Sequence, residues 1–300
     1  MNEKSLIKLI KSTLNSGYIG DDCAYLPDLG IVITQDSLVE DVHFKRDLIT
    51  PFQLGYKTVM VNISDICASG AEPKYMTISL SLPDTVDEIF VKEFYEGVKE
   101  ASQDVIIAGG DLTGSDKIYI SASAVGSDGG RKISSRANAK SGYKIIVSGE
   151  HGNSAYGLRM LLKNNITPKG QINNKFINAH LMPAAQREFS RAISENIKDD
   201  YAMMDTSDGL ADALMQIAQA SEVKIDINSS KIPHDSAVDI DTVLYGGEDY
   251  QLVAAVPEYM LKNLNAYTII GDVKTGDAGL VIDGEFYTDI DHKLYKHFKE

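Results

Sequence analysis

The fold is decided by residues 50–70, which read TPFQLGYKTVMVNISDICASG. This stretch predicts one long helix, in which Thr50 is the N-cap, Pro51 is the first helical residue and Gly70 is the stop. Apolar side chains recur along it at helical spacing, namely Phe52, Tyr56, Val59, Ile63 and Ile66. We therefore expect the helix to bury one face.

The segments around this helix alternate between apolar, β-branched runs and helical patterns, which is typical of an α/β or α+β protein. Strands are predicted over residues 31–39, 76–83, 105–111 and 117–126, and a second helix over 86–103. The strand VIIAGGD, residues 105–111, is expected to be short and buried.

A stretch rich in Gly, Ser and Lys, residues 127–142, separates this half of the chain from the next and is a candidate domain boundary or mobile loop. After it, the sequence predicts a strand over 144–149, helices over 154–165 and 182–196, a strand–turn–helix over 202–222, and a turn followed by a strand over 243–257. We therefore predict a two-domain α/β (α+β) protein, divided into residues 1–138 and 139–300.

Composition excludes several classes of protein. The chain of 300 residues is 43% hydrophobic and 24% charged, with a formal net charge of −14, so it is expected to repel nucleic acid and anionic lipid. No apolar run reaches the roughly 18 residues of a membrane span, and residues 1–14 form an amphipathic pattern without a signal-peptide core. Cys23 and Cys67 cannot form a disulfide framework. We expect a cytoplasmic protein.

Aspartates stand at unusual places in the predicted elements. Asp36, Asp111 and Asp205 follow or end runs that should be buried, where an unpaired carboxylate is costly. Further acids lie in a turn, on the apolar helix and at a helix start, namely Asp22, Asp65 and Asp208. Any one of them can be a plain turn or N-cap residue, but together they favour a shared site for a hard cation such as Mg²⁺.

Two turns add backbone groups that suit phosphate. In GGDLTG, residues 109–114, two glycines precede Asp111 and let N–H groups approach an anion. In DTSDGL, residues 205–210, Ser207 and Asp208 begin a helix, where phosphate binds readily and where Ser and Asp are also common N-caps. Carboxylates beside phosphate-binding turns indicate metal–nucleotide binding and phosphoryl transfer. The sequence has neither a P-loop nor a Rossmann glycine motif.

Six motifs occur in a fixed order: GDDCAYL, ITQDSLVEDVHF, GYKTVMVNISDICASGAEP, GGDLT, DTSDGL and GGEDYQL. In this order they resemble the thiamine-monophosphate kinases, a family of the aminoimidazole-ribonucleotide-synthetase-like superfamily. The resemblance extends from about residue 20 to the C-terminus. It implies direct transfer of a phosphoryl group from ATP to thiamine monophosphate with several Mg²⁺ ions. It also implies two α/β domains and a homodimer formed through the N-terminal mixed sheets.

The resemblance also implies roles for individual residues. The metal-binding positions are Asp22, Thr34, Gln35, Asp36, Asp65, Asp111, Asp205 and Asp208. The ATP-contacting positions are Gly110, Asp111, Arg136 and Ser207, and the thiamine-phosphate positions are His43, Glu248 and Tyr295. Among the metal-binding residues, Asp36 and Asp111 are expected to hold ions at the β- and γ-phosphates. Asp22, Asp65 and Asp205 are expected to hold ions toward the acceptor phosphate.

The sequence departs from the family pattern at a few positions. Gln35 replaces the usual Thr, which changes little if the metal contact there is a backbone carbonyl, and Asp41 replaces a Gly before V-H-F. Leu112 replaces a Thr after GGD, and the match of Arg136 requires a one-residue insertion.

Structural roles stay open for the three thiamine-phosphate residues. His43 can be a structural histidine, and Tyr295 an anchoring aromatic side chain. Glu248 can be a turn residue, with the adjacent Asp249 making the contact.

Two other functions are compatible with the same residues. A relative that forms an acyl phosphate or a selenophosphate would turn over ATP only with an acceptor other than thiamine monophosphate. A member without catalytic activity would bind metal or nucleotide without releasing ADP.

Overall fold

The computed structural model describes residues 3–164 and 174–294. An N-terminal helix precedes a five-stranded sheet, and two long helices cover one face of that sheet. In chain order these elements are α1 (Glu3–Leu14), β1 (Ala24–Leu26), β2 (Ile31–Val39), α2 (Pro51–Ser69), β3 (Glu72–Leu82), α3 (Glu88–Ser102), β4 (Ile106–Gly114) and β5 (Tyr119–Ser127). The strand order is β1-β2-β5-β3-β4. Only the pairing of β3 with β4 is parallel, so the sheet is mixed, as predicted.

Helix α2 has the predicted bounds because its end signals are local. Thr50 caps the helix through a capping box with Gln53: the Thr50 hydroxyl accepts from the Gln53 N–H, and the Gln53 side chain accepts from the Thr50 N–H. Gly70 ends the helix in a left-handed conformation with φ of 84°.

Close packing of α2 against α3 depends on two glycines. A Cβ on Gly55 would lie 1.9 Å from the Phe94 carbonyl oxygen, and a Cβ on Gly97 would lie 1.9 Å from that of Phe52. The backbones of the two helices therefore meet directly. This contact fixes the position of α2, whose side chains later form part of the site.

The other face of the first sheet is not covered within the described chain. Large apolar side chains are exposed on it or on its edge strand, including Ile33, Tyr75, Ile106, Leu112 and Tyr119. The prediction that 105–111 is a buried strand is wrong, because β4 is an edge strand that pairs only with β3 and is largely exposed. Its apolar residues indicated burial, but burial depends on what covers the edge.

The second half of the chain forms a seven-stranded sheet with order β12-β11-β8-β10-β6-β9-β7. Its strands are β6 (Lys144–Val147), β7 (Ala202–Asp205), β8 (Lys224–Ile227), β9 (Leu252–Val256), β10 (Thr268–Lys274), β11 (Gly279–Ile282) and β12 (Glu285–Tyr287). The helices are α4 (Asn153–Asn164), α5 (Lys175–Leu181), α6 (Arg187–Ser194), α7 (Leu210–Ala220) and α8 (Ile240–Tyr245). The two-sheet α/β architecture agrees with the predicted fold class.

Three helices of this half differ from the prediction. The helix expected over 182–196 begins only at Arg187. Pro183 disfavours the helical conformation at Met182, and the chain stays irregular through Gln186. The sequence did not reveal α5, which ends at Leu181 just before that proline, or α8, which occupies part of the expected turn at 243–257.

The apolar core is continuous between the two sheets. Side chains of α2 such as Ile63 and Ile66 belong to the same buried cluster as Ile146 of β6 and Leu252 of β9. A second buried cluster lies on the opposite face of the second sheet, where α7 and α8 pack. Among the described helices none is long and apolar enough to span a bilayer.

Candidate active site

Three aspartates meet where the two halves of the chain join, of which Asp205 is buried and Asp22 and Asp65 are half-buried. Asp22 lies in the loop before β1, Asp65 lies on α2 and Asp205 ends β7. One carboxylate oxygen from each lies within 4.8 Å of the others. We call these three residues the acid cluster. Because its members come from distant parts of the chain, the cluster exists only in the folded protein.

Hydroxyl groups orient two members of the cluster. The Thr34 hydroxyl donates to Asp65 Oδ2 at 2.6 Å, and the Ser64 hydroxyl donates to Asp205 Oδ2 at 2.6 Å. The Ser207 N–H donates to the other oxygen of Asp205. Each of these two carboxylates keeps lone pairs for a further ligand.

Burial and the closeness of like charges raise the pKa values of all three carboxyls in the acid cluster. Burial, with Asp205 close by, raises the pKa of Asp22 to about 6 although Arg136 opposes the shift. Burial also raises the pKa of Asp205 to about 6, and burial together with its acidic neighbours raises the pKa of Asp65 well above its usual range. The site contains oxygen donors and no imidazole or thiolate ligand, which suits a hard divalent cation such as Mg²⁺.

Asp36 lies beside this cluster on β2. Burial raises its pKa to about 6, with Asp208 and Asp22 adding to the shift. Its backbone N–H donates to the side-chain oxygen of Asn62 on α2, which ties β2 to the helix. Asp208 is exposed and faces Asp36 from the loop after β7. The structure thus places five of the predicted metal-binding aspartates in one region.

Arg136 is the cation nearest to the acid cluster in the described structure. Its guanidinium contacts Asp22 Oδ1 at 2.9 Å and donates to the Gln216 side chain at 2.6 Å. The Arg136 N–H donates to Asp21. The short 3₁₀ turn Arg136–Asn138 therefore holds the guanidinium at the edge of the carboxylates, where it could also meet a phosphate.

Two loops close against each other beside the acid cluster. The Glu248 N–H donates to the Ser207 carbonyl at 2.6 Å, and the Thr206 N–H donates to the Gln251 carbonyl at 2.9 Å. A Cβ on Gly247 would lie 2.6 Å from the Ser207 carbonyl oxygen, so only glycine allows this approach. The DTSDG and GGEDY motifs are therefore one structural unit.

Glu248 and His43 lie near each other, as expected for residues on one side of a site. Glu248 has a left-handed backbone conformation with φ of 65°, which is unusual for a residue other than glycine. Burial would raise its pKa, but the Lys57 ammonium holds the pKa of this carboxyl below its usual range. His43 Nδ1 accepts from the Val39 N–H, which fixes its ring.

Asp249 has a structural role that differs from the role predicted for Glu248. Its carboxylate accepts from the backbone N–H groups of Gly152 and Ser154 at the start of α4. This arrangement anchors the GGEDY loop to α4.

Gly110 and Asp111 lie apart from the acid cluster within one chain. Asp111 pairs with Ser79 of β3, whereas Asp36 pairs with Ala122 of β5 and shares its face with Ile78. Since successive residues of a strand point to opposite faces, the sheet separates Asp111 from Asp36. Gly110 packs tightly on β3, where a Cβ would lie 1.8 Å from the Ile78 carbonyl oxygen.

Gln35 and Tyr295 are the two remaining residues that were predicted to belong to the site. The Gln35 side chain donates to the Ser121 hydroxyl and accepts from the Ser123 hydroxyl, away from the acid cluster. Tyr295 lies outside the described residues.

Two buried side chains at the site, Lys57 and His180, were not among the predicted site residues. Lys57 could have been recognised in the sequence because it is a lysine inside the apolar pattern of α2.

Comparison with known proteins agrees with this architecture. The family models for the N-terminal and C-terminal domains of AIR synthase related proteins match residues 20–127 and 140–278. A solved structure of AaThiL complexed with AMPPCP and TMP superposes with a TM-score of 0.88 at 35% identity, covering 99% of this chain and 97% of that one. Hydrogenase maturation protein HypE in complex with ATP shares the fold at 18% identity, with a TM-score of 0.69.

Curated relatives extend over nearly the whole chain. Thiamine-monophosphate kinase of Aquifex aeolicus is 37% identical, over 99% of this chain and 98% of the relative. Thiamine-monophosphate kinase of Bacillus subtilis is 34% identical, over 94% of this chain and 93% of the relative. The resemblance inferred from the six motifs is confirmed, and the chain belongs to the thiamine-monophosphate kinase family of AIR synthase related proteins.

Proposed function

We propose that the protein transfers the γ-phosphoryl group of ATP to thiamine monophosphate in a Mg²⁺-assisted reaction that yields thiamine diphosphate. The observation that carries this proposal is the acid cluster of Asp22, Asp65 and Asp205, placed beside the joined DTSDG and GGEDY loops. The AaThiL complex with AMPPCP and TMP supports the choice of both substrates.

The acid cluster and Asp36 would hold several Mg²⁺ ions, together with Thr34, Asp208 and the backbone of Gln35. Bound there, the ions would neutralise the phosphate oxygens that the carboxylates alone repel. Asp111 lies on the opposite face of the sheet and does not reach these ions within one chain. Arg136 and Ser207 would contact ATP, as would Gly110 and Asp111. Arg136 already lies against Asp22, so it would contribute positive charge without a large movement.

Direct transfer fits the thiol at the site. Cys23 lies near the carboxylates, but burial, with Asp65 and Asp22 nearby, raises the pKa of its thiol well above the usual range. A protonated thiol is a poor nucleophile. The chain would therefore act by positioning the two phosphates and by balancing their charge.

His43 and Glu248 would bind the acceptor, since they lie together beside the acid cluster. The thiamine-binding role of Tyr295 stays a prediction, as do the domain boundary at 138/139 and a cytoplasmic location.

We further propose that the uncovered face of the first sheet forms a homodimer. The exposed apolar side chains on β2 to β5 would be buried there, and Asp111 lies on the same face. Light scattering should give twice the chain mass of 32.8 kDa. A monomer at micromolar concentration would contradict this assignment.

The function is tested by measuring ADP release with a panel of acceptors. Thiamine monophosphate should support turnover, and free thiamine should be a poor acceptor because it lacks the phosphate that approaches the acid cluster. Turnover only with a carboxylate or selenide acceptor would identify a synthetase instead. Saturable ATP binding without ADP release in any mixture would identify a protein that binds nucleotide without catalysis.

A further inference from the structure

Lys57 is a fully buried cation that the proposed chemistry does not use. It lies on α2 and is only 1% exposed. Its Nζ lies 3.1 Å from Glu248 Oε1, in an ion pair that joins α2 to the GGEDY loop. No other ion pair in residues 3–164 and 174–294 buries its basic side chain to this degree.

His180 lies beside the other oxygen of Glu248. His180 Nδ1 lies 3.2 Å from Glu248 Oε2 and 3.1 Å from the Ser154 hydroxyl. Burial, with Lys57 nearby, lowers the pKa of His180 to about 3, so this imidazole is neutral at physiological pH. Lys57 is consequently the charge that balances Glu248.

The backbone adds a further restraint on Glu248. Its N–H is bound to the Ser207 carbonyl and its φ is 65°, a conformation that persists only where the surroundings determine it. A carboxylate that is paired with a buried lysine through one oxygen, packed beside an imidazole at the other and bound at its backbone has little freedom to rotate. Its side chain is nevertheless 25% exposed, so one side remains open to a ligand.

Stability alone is a poor explanation for a buried lysine. The desolvation of the ammonium offsets most of the attraction to its partner, and an apolar pair of similar volume is often as stable or more stable. A rigid, oriented carboxylate is instead useful for recognition, because little conformational freedom is lost when the ligand binds. Thiamine monophosphate carries a cationic thiazolium ring and an amino group on its pyrimidine, both of which a carboxylate can contact.

We propose that Lys57, supported by His180, is a positioning residue that fixes Glu248 in one orientation and thereby sets the affinity for the thiamine moiety of the acceptor. This inference rests on the proposed function and adds two residues to it. It predicts that a substitution of Lys57 changes the KM for the acceptor and not the KM for ATP, because Lys57 acts only through Glu248.

The test is steady-state kinetics of Lys57→Met with each substrate varied in turn. We expect the KM for thiamine monophosphate to rise roughly 10- to 100-fold, with the KM for ATP changing less than about twofold. Lys57→Gln removes the charge but keeps a donor, and it replaces Lys57→Met if that variant does not fold. Thr58→Val is the matched control, because Thr58 is buried on the same helix and its hydroxyl donates only to the Leu54 carbonyl.

Glu248→Gln, alone and combined with Lys57→Met, separates positioning from a general structural role. If Lys57 acts through Glu248, the double variant should have the same KM for thiamine monophosphate as Glu248→Gln alone. An unchanged acceptor KM in folded Lys57→Met, an equal rise in both KM values, or additive losses in the double variant would overturn the inference. A wild-type protein that does not phosphorylate thiamine monophosphate would instead refute the proposed function.

Discussion

Asp65→Asn is expected to lower the rate of thiamine diphosphate formation by roughly 10²–10³-fold, the scale of losing one electrostatic contribution to the transition state. The same change should leave the metal-free protein as stable as the wild type or more stable. Two carboxylates about 4 Å apart repel each other by up to about 4 kcal/mol at an effective dielectric constant near 20. Asparagine removes that repulsion, and its side-chain oxygen can still accept from the Thr34 hydroxyl.

The measurement is thermal unfolding in EDTA beside an activity assay with excess Mg²⁺. Asp84→Asn is the control, because Asp84 is exposed in the turn after β3 and far in sequence from the acid cluster. It should change neither quantity, as is usual for surface substitutions. If Asp65→Asn unfolds at a clearly lower temperature in EDTA and turns over normally, Asp65 is a structural residue and the acid cluster is not the site.

Stabilisation of the protein by Mg²⁺ is expected to depend steeply on pH. A divalent cation binds deprotonated carboxylates, and Asp22, Asp36 and Asp205 have pKa values of about 6. The rise in melting temperature caused by excess Mg²⁺ should therefore be large at about pH 7.5 and small at about pH 5, because protons then compete with the ion.

The direction in which the stability of the metal-free protein changes with pH follows from the same pKa values. Since the folded pKa of each aspartate lies above its unfolded value near 4, the native state binds more protons between about pH 4 and 6, and these groups destabilise the fold as pH rises through that window. His151 and His180 act in the opposite sense, because burial lowers their pKa values to about 4 and about 3. Contributions from groups that do not bind the ion are the same with and without Mg²⁺. The quantity to compare is therefore the difference in melting temperature between these two conditions.

The control is NaCl at matched ionic strength, which screens charge without occupying a divalent site. An equal Mg²⁺ effect at both pH values would show that the ion binds acids with ordinary pKa values elsewhere on the surface. Asp205→Asn should reduce the effect at the higher pH.

Local signals predicted much of the fold correctly. The bounds of α2 depend on Thr50, Pro51 and Gly70, which act within one turn of the helix ends, and β2 occupies the predicted residues 31–39. The exposure of β4 could not be predicted from its apolar residues, because it depends on the strand order. Pairing across the sheet is a property of the whole domain.

For the site, too, local sequence patterns predicted individual residues, whereas contacts between distant parts of the chain could not be predicted. Asp22, Asp65 and Asp205 were singled out because carboxylates stand among apolar runs or in motifs, and the structure brings their side chains together. The pairing of Lys57 with Glu248 joins residues that are far apart in sequence, so no local pattern could reveal it. The separation of Asp111 from Asp36 follows from strand register, which the motifs do not contain.

Divalent cations at the acid cluster are the central element of the proposed reaction. The direct measurement is an anomalous difference map from crystals grown with Mn²⁺ and a non-hydrolysable ATP analogue. We expect at least one anomalous peak at about 2.0–2.6 Å from carboxylate oxygens of Asp22, Asp65 and Asp205, the range of oxygen ligands around hard divalent cations. Nucleotide bound in the crystal with no anomalous peak at these three residues would contradict a metal site at the acid cluster.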